Sequence, residues 1–133
     1  MIDLHMHSRY SADGEYAPAK LVEKCLEKGI HKMSITDHNC AKANAEAETA
    51  AKEKGITYIS GIEIDCVYQD INFHVLGYGI DDKSGDFEWI EENVRKQSLR
   101  ASFESLAKTQ KLGFHVTEED MRLVSKGCYW QET

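Results

Sequence analysis

Met1-Ile-Asp-Leu-His5-Met-His7-Ser-Arg9-Tyr-Ser-Ala-Asp13-Gly14 opens the chain and decides how the rest is read. On a β-strand, residues two apart point to one face, so His5 and His7 can present two imidazoles together. Ser8 to Gly14 reads as a loop, and Asp13 within it supplies a hard oxygen donor near the same place. A lone His-x-His is more often a pair of surface histidines than a metal grip. The decision rests on what the remaining segments add.

Working outward, Ile2 to His7 is expected as a first strand. A helix follows from Pro18, with Leu21, Val22, Cys25 and Leu26 as its apolar stripe and Gly29 at its end. Ile30 to Thr36 forms a second strand that runs into Asp37-His38-Asn39. Lys42 to Lys54, rich in Ala, Glu and Lys, is a second helix closed by Gly55. Ile56 to Ile59 starts a third strand, expected to continue through Gly61 to Ile64. This alternation predicts right-handed βαβ units and a parallel sheet, so the class is α/β.

The pattern then changes. Glu63 to Tyr68 and Ile71 to Ile80 read as a hairpin turning at Gln69-Asp70. After a linker, residues from Asp86, the expected N-cap, to Leu112 are helical, with Gly113 at the end. Phe87, Ile90 and Val94 form one stripe and Leu99, Phe103 and Leu106 another, so a break near Lys96 to Ser98 is expected. Thr117 to Asp120 resembles a capping box that opens a short helix to about Val124, and residues 125–133 carry no clear pattern. The domain reading is residues 1–82 as the αβ part and 83–133 as a helical segment.

The chain has 133 residues, enough for one modest core, and no run long enough to span a membrane. No signal peptide is evident. Cys25, Cys40, Cys66 and Cys128 lack C-x-x-C spacing and read as reduced, small core residues of a cytoplasmic protein. A formal net charge of −7 disfavours non-specific nucleic-acid binding through a basic surface. It leaves room for an anionic substrate, because bound cations reverse the local field.

In parallel α/β folds, functional side chains collect at the carboxyl ends of strands. His5 and His7 fall there, as do Asp37 and His38, with Glu63 late in the third strand and His74 in the hairpin return. Mixed imidazole and carboxylate donors suit zinc, manganese or iron. Asp37 reads as a carboxylate that holds a ligand imidazole in place. Asp3 reads as structural or supporting. His31 and His115 read as surface residues, and taken singly His74 is an ordinary sheet histidine.

Asp-Leu-His5-Met-His7-Ser, Ser11-Ala-Asp13-Gly, Thr-Asp37-His38-Asn, Gly-Ile-Glu63 and His74-Val-Leu-Gly-Tyr-Gly, in that order, resemble the PHP (polymerase and histidinol phosphatase) superfamily. The last segment is most similar to its small stand-alone metal-dependent phosphoesterases. The resemblance is close over Ile2 to Ile80 and looser beyond. It implies the N-terminal part of a distorted (β/α)7 barrel, parallel strands plus a hairpin, followed by a helical insertion. It implies two or three divalent ions: His5 and His7 on the first, Asp13 and His38 on the second, Glu63 bridging the first and third, and His74 on the third. It implies hydrolysis of nucleotides or short nucleic acids through a metal-bound hydroxide, with Asp13, Glu63 and Arg9 as catalytic residues. Arg9, Arg95 and Arg100 are the candidate phosphate donors. The family completes its centre with a histidine after the insertion and an Asp-x-His pair near the end of the barrel; this sequence has neither, and His115 is its only histidine after Tyr78. An incomplete, non-catalytic centre or an interaction module is therefore the alternative. The expectation is also that self-association, or a C-terminal remainder, covers the open barrel edge.

Overall fold

The computed structural model describes residues 1–125; Cys128 and the rest of the unpatterned tail lie outside the described residues. The chain forms two compact units, residues 1–90 and from Glu91 onward. In the first, β1 (Ile2–Asp3), β2 (Lys32–Met33) and β3 (Thr57–Tyr58) make a parallel sheet in the order β1-β2-β3. α1 (Pro18–Glu27) and α2 (Ala43–Glu53) are the connections between these strands. The fold class is α/β with parallel strands, as expected.

Local chemistry accounts for the helix bounds. α1 begins with Pro18, whose missing N–H costs nothing there. It ends where Ile30 N–H reaches back to Cys25 O (2.8 Å) and Gly29 N–H to Leu26 O (3.0 Å). α2 closes the same way, with Ile56 N–H on Ala51 O (2.9 Å) and Gly55 N–H on Lys52 O (3.3 Å). Gly29 and Gly55 both sit at positive φ, 71° and 70°, the conformation this closure requires. Val22, Cys25, Ile30, Met33, Ile35, Ile56 and the Ala43, Ala47, Ala50, Ala51 face of α2 form the core. Leu26, expected in the α1 stripe, is instead 51% exposed, because it is turned about 100° from Cys25 around the helix. Cys25 and Cys40 are buried as expected, whereas Cys66 lies half-buried on the hairpin.

The regular strands are shorter than the sequence suggests. Ser34 N–H bonds Asp3 O (3.1 Å), but the next bond runs from Thr36 N–H to Met6 O (2.9 Å) rather than to His5. The first segment thus holds one extra residue, and its regular pairing stops at Asp3. The Asp3 carboxylate accepts His5 N–H (3.2 Å), and Tyr78 Oη donates to Leu4 O (2.9 Å). His5 and His7 therefore lie in extended chain beyond the strand.

The third strand does not run on through Gly61 to Ile64. It stops at Tyr58, and β4 (Gly61–Tyr68) pairs antiparallel with β5 (Ile71–Tyr78) in a separate hairpin. The two-residue turn carries positive φ at both Gln69 (49°) and Asp70 (62°), the geometry that matches strand twist. Asn44 fixes the change of partner. Buried on α2, it donates to Gly61 O, and its Oδ1 accepts Gly61 N–H (2.9 Å each) and Tyr58 Oη (2.8 Å). β4 keeps one parallel contact with the second segment, between His38 and Glu63.

α3 (Gly85–Lys111) is continuous, without the expected break at Lys96 to Ser98. No Gly or Pro follows Gly85 within it, and Glu92 pairs with Arg95 (2.7 Å) and Lys96 (3.4 Å) across that turn. Ser84 rather than Asp86 caps it, its Oγ accepting Asp86 N–H (3.3 Å). Asp86 falls inside the first turn. The capping box of α4 (Glu118–Ser125) is formed: Asp120 N–H reaches Thr117 Oγ1 (3.2 Å) and Thr117 N–H reaches Asp120 Oδ2 (2.9 Å).

Asn44→Ala removes both partners of the buried Gly61 peptide groups. Urea denaturation should read a loss of about 2–4 kcal/mol, the cost of two stranded backbone groups.

Candidate metal centre

Glu63 is the hub. It is only 2% exposed, yet its carboxylate meets imidazoles on both oxygens. Oε2 lies 3.0 Å from His5 Nε2 and 2.9 Å from His7 Nε2, and Oε1 lies 2.8 Å from His74 Nδ1. His38 Nε2 approaches Oε2 at 3.7 Å. His7 turns its other nitrogen to Asp13 Oδ1 (2.8 Å), and Asp13 Oδ2 lies 3.8 Å from His38 Nε2. All six ligands expected from the sequence, His5, His7, Asp13, His38, Glu63 and His74, line one open cleft of about 370 Å³ together with Met6. The rings follow one another, with centroids 5.2 Å apart for His5 and His7, 4.6 Å for His7 and His38, and 4.8 Å for His38 and His74.

The loop that carries Asp13 is held from below. Asp37, 1% exposed, accepts the Ser8 N–H (2.5 Å) and the Ser8 Oγ–H (2.6 Å). Its role is thus to pin the turn after His7, not to orient an imidazole as the sequence reading had it; burial beneath that turn makes Ser8 its partner. Ser11 Oγ accepts His38 N–H (2.7 Å), which ties the same loop to the second segment. Gly14 is required by close approach, because a Cβ there would lie 1.8 Å from Ser8 O. His31 stands away from the cleft, beside the amino terminus at 2.7 Å, and is exposed, as is His115.

The electrostatics follow from this packing. Burial alone would push Glu63 up, but the hydrogen bond from His5 and the fields of His38, His5 and His7 outweigh it and hold the carboxyl below its usual range. Asp13 is lowered against partial burial by the His7 hydrogen bond and by His7 and His38. Asp37 is raised, because desolvation exceeds what the Ser8 and Ser11 hydrogen bonds return.

The donor set fits divalent cations. Among the described residues, three groups place their donor atoms within 4.8 Å of one another: His5, His7, Glu63; His7, Asp13, His38; and His38, Asp65, His74. Separations near 3 Å between donors match the edges of a coordination shell with bonds of about 2.0–2.2 Å. With neutral imidazoles, the carboxylates of Asp13, Glu63 and Asp65 leave the cleft negative, which favours positive ions.

Asp65, whose carboxylate groups with His38 and His74, is the candidate donor that the sequence reading missed. Its signal was available: Glu63 and Asp65 are two apart on β4 and share a face. Of the candidate phosphate donors, Arg9 is exposed and stands over the Tyr10 ring at 5.7 Å. Arg95 and Arg100 belong to the second unit, and Arg95 donates Nε and Nη2 to Glu92 (2.7 and 2.9 Å).

The pattern of the PHP domain family matches residues 3–126. The chain belongs to the PHP family. It is 36% identical over 80 residues to a 3′,5′-nucleoside bisphosphate phosphatase of Chromobacterium violaceum, covering 60% of this chain and 28% of that one. It is 31% identical over 113 residues to the 5′-3′ exoribonuclease Rnm of Escherichia coli, covering 81% and 38%. A solved structure from Bifidobacterium adolescentis, described as a proposed metal-dependent phosphoesterase, superposes with a TM-score of 0.76 at 28% identity, over 96% of this chain and 44% of that one. This PHP chain thus spans between about a quarter and two-fifths of the length of these curated relatives. Among the described residues no helix is long and apolar enough to cross a membrane.

The lowered Glu63 value has a defined sign. Its ionised form is favoured by folding, so it stabilises above the ordinary value of 4.5 and that contribution is lost as pH falls through the lowered value. Asp37, raised, has the opposite sign: its contribution is present at low pH and fades as pH rises through the raised value. In chelator, urea titrations from pH 6 to pH 3 should show a smaller acid loss for Glu63→Gln than for the unaltered chain.

Proposed function

We propose that the chain is the N-terminal part of a distorted (β/α)7 PHP barrel with a helical segment after it, and that its cleft holds two or three divalent cations for phosphate-ester hydrolysis. The observation that carries this reading is the buried Glu63 carboxylate, shared among His5, His7 and His74 at 2.8–3.0 Å. The relatives' names, a nucleoside bisphosphate phosphatase and an exoribonuclease, support a nucleotide or short oligonucleotide as substrate.

Bound ions of this kind supply an acidic water and positive charge for the phosphoryl oxygens. The residues do the rest. His5, His7 and Glu63 would hold one ion, Asp13 and His38 a second, and Glu63 with His74 a third. Arg9, at the cleft loop, gives a substrate phosphate a bidentate donor. Manganese, zinc and iron all suit the donors. The exposed Tyr68, Ile71, Phe73 and Val75 support the reading that self-association or a C-terminal remainder covers the hairpin.

A second reading, cation binding with little turnover, is favoured by the donor set: no Asp-x-His pair follows Tyr78 in this sequence. One experiment separates the two. Elemental analysis of the chain after manganese loading should find two or three ions, and the same sample should hydrolyse a nucleoside 3′,5′-bisphosphate. His7→Ala should remove at least one ion and lower turnover by more than about a hundredfold. Ions without turnover select the second reading, and no ions contradicts both.

A further inference from the structure

We infer that Asp65, held by Asn39, is the positioning carboxylate for His38: it keeps the His38 proton on Nδ1 and so leaves the Nε2 lone pair facing the cleft. The role of His38 as a ligand rests on the proposed function above; the Asn39–Asp65–His38 chain itself rests on geometry.

Asp65 Oδ1 lies 3.0 Å from His38 Nδ1. Asp65 Oδ2 accepts the Asn39 side-chain amide at 2.6 Å, and Asn39 Oδ1 accepts Asp65 N–H at 3.0 Å. Asn39 is itself fixed: it is 3% exposed, has φ 53°, and donates its backbone N–H to Glu63 O at 2.7 Å. The amide cannot turn over without losing both side-chain bonds, so Asp65 is aimed and its Oδ1 is presented to the ring. His38 Nε2 faces Asp13 and Glu63 at 3.8 and 3.7 Å. A neutral imidazole has one N–H and one lone pair, so His38 cannot serve the Asp13 group through Nε2 and the Asp65 group through Nδ1 together. A carboxylate acceptor on Nδ1 selects the proton there and the lone pair at Nε2. The His74 Nε2, at 3.4 Å from Asp65 Oδ1, is a weaker neighbour of the same oxygen.

Long-range proton–nitrogen NMR of the histidine rings tests this on the metal-free chain above the histidine titration range. His38 is expected in the Nδ1–H form, and Asp65→Ala should shift it toward Nε2–H. The sharper test is an exchange of side chains. D65N alone places two amides against each other or an amide against the ring N–H, and should disturb the tautomer. N39D/D65N restores a donor facing a carboxylate and an oxygen facing Nδ1, and should restore the Nδ1–H form, which a role in folding alone would not produce. With zinc added, Asp65→Ala should weaken uptake of one ion by about 10–100-fold with the others unchanged. His38 as Nε2–H in the unaltered chain, no rescue by the exchange, or zinc bound through Nδ1 would each overturn the inference. Absence of zinc uptake with the tautomer pattern intact would fail the proposed function and leave the positioning role standing.

Discussion

A carboxylate taken out of water is costly, by several kcal/mol even after relaxation, unless positive charge or strong donors meet it. Glu63 is 2% exposed and has no lysine or arginine against it among its described partners; imidazoles surround it instead. Much of the first unit can be understood as the scaffold that makes this arrangement tolerable. Neutral imidazoles satisfy the oxygens only in part, and a cation shared between ring and carboxylate would satisfy them fully.

Three devices hold the arrangement, each a buried polar side chain bonded to backbone. Asp37 binds Ser8 and fixes the loop that brings Asp13 to His7. Asn44 binds both peptide groups of Gly61 and turns the chain from the parallel sheet into the hairpin that carries Glu63 and His74. Asn39 binds Asp65 at both its backbone and its side chain, and so joins the end of the second segment to β4. None of these side chains needs to touch a substrate. They convert three extended segments, which the sheet alone would leave parallel and apart, into a convergent set of donors.

The sequence pointed to the side chains that meet in the cleft because spacing and position near segment ends are local signals. His5-Met-His7 and Asp37-His38 could each be placed beyond a strand end without knowing the fold, whereas Glu63 lies near the start of β4 rather than late in the third strand. The hairpin was legible for the same reason, from alternation around Gln69-Asp70. What was not legible depends on contacts between distant segments. The extra residue in the first strand appears only when Thr36 is seen bonding Met6. The assignment of Asp37 required knowing that Ser8 lies above it. Asn44, inside an Ala-rich helix, carries no local mark of its bond to Gly61, which lies 17 residues away. Asp65 is the exception: its two-residue spacing from Glu63 is a local signal that the two carboxylates share a face of β4.

Crystals of the chain soaked in manganese(II), measured across the manganese absorption edge, test the central claim most directly. The account predicts anomalous peaks inside the cleft, one between His5, His7 and Glu63 and another between Asp13 and His38. Ordered side chains with no peak in the cleft, or peaks confined to other surfaces, would contradict it.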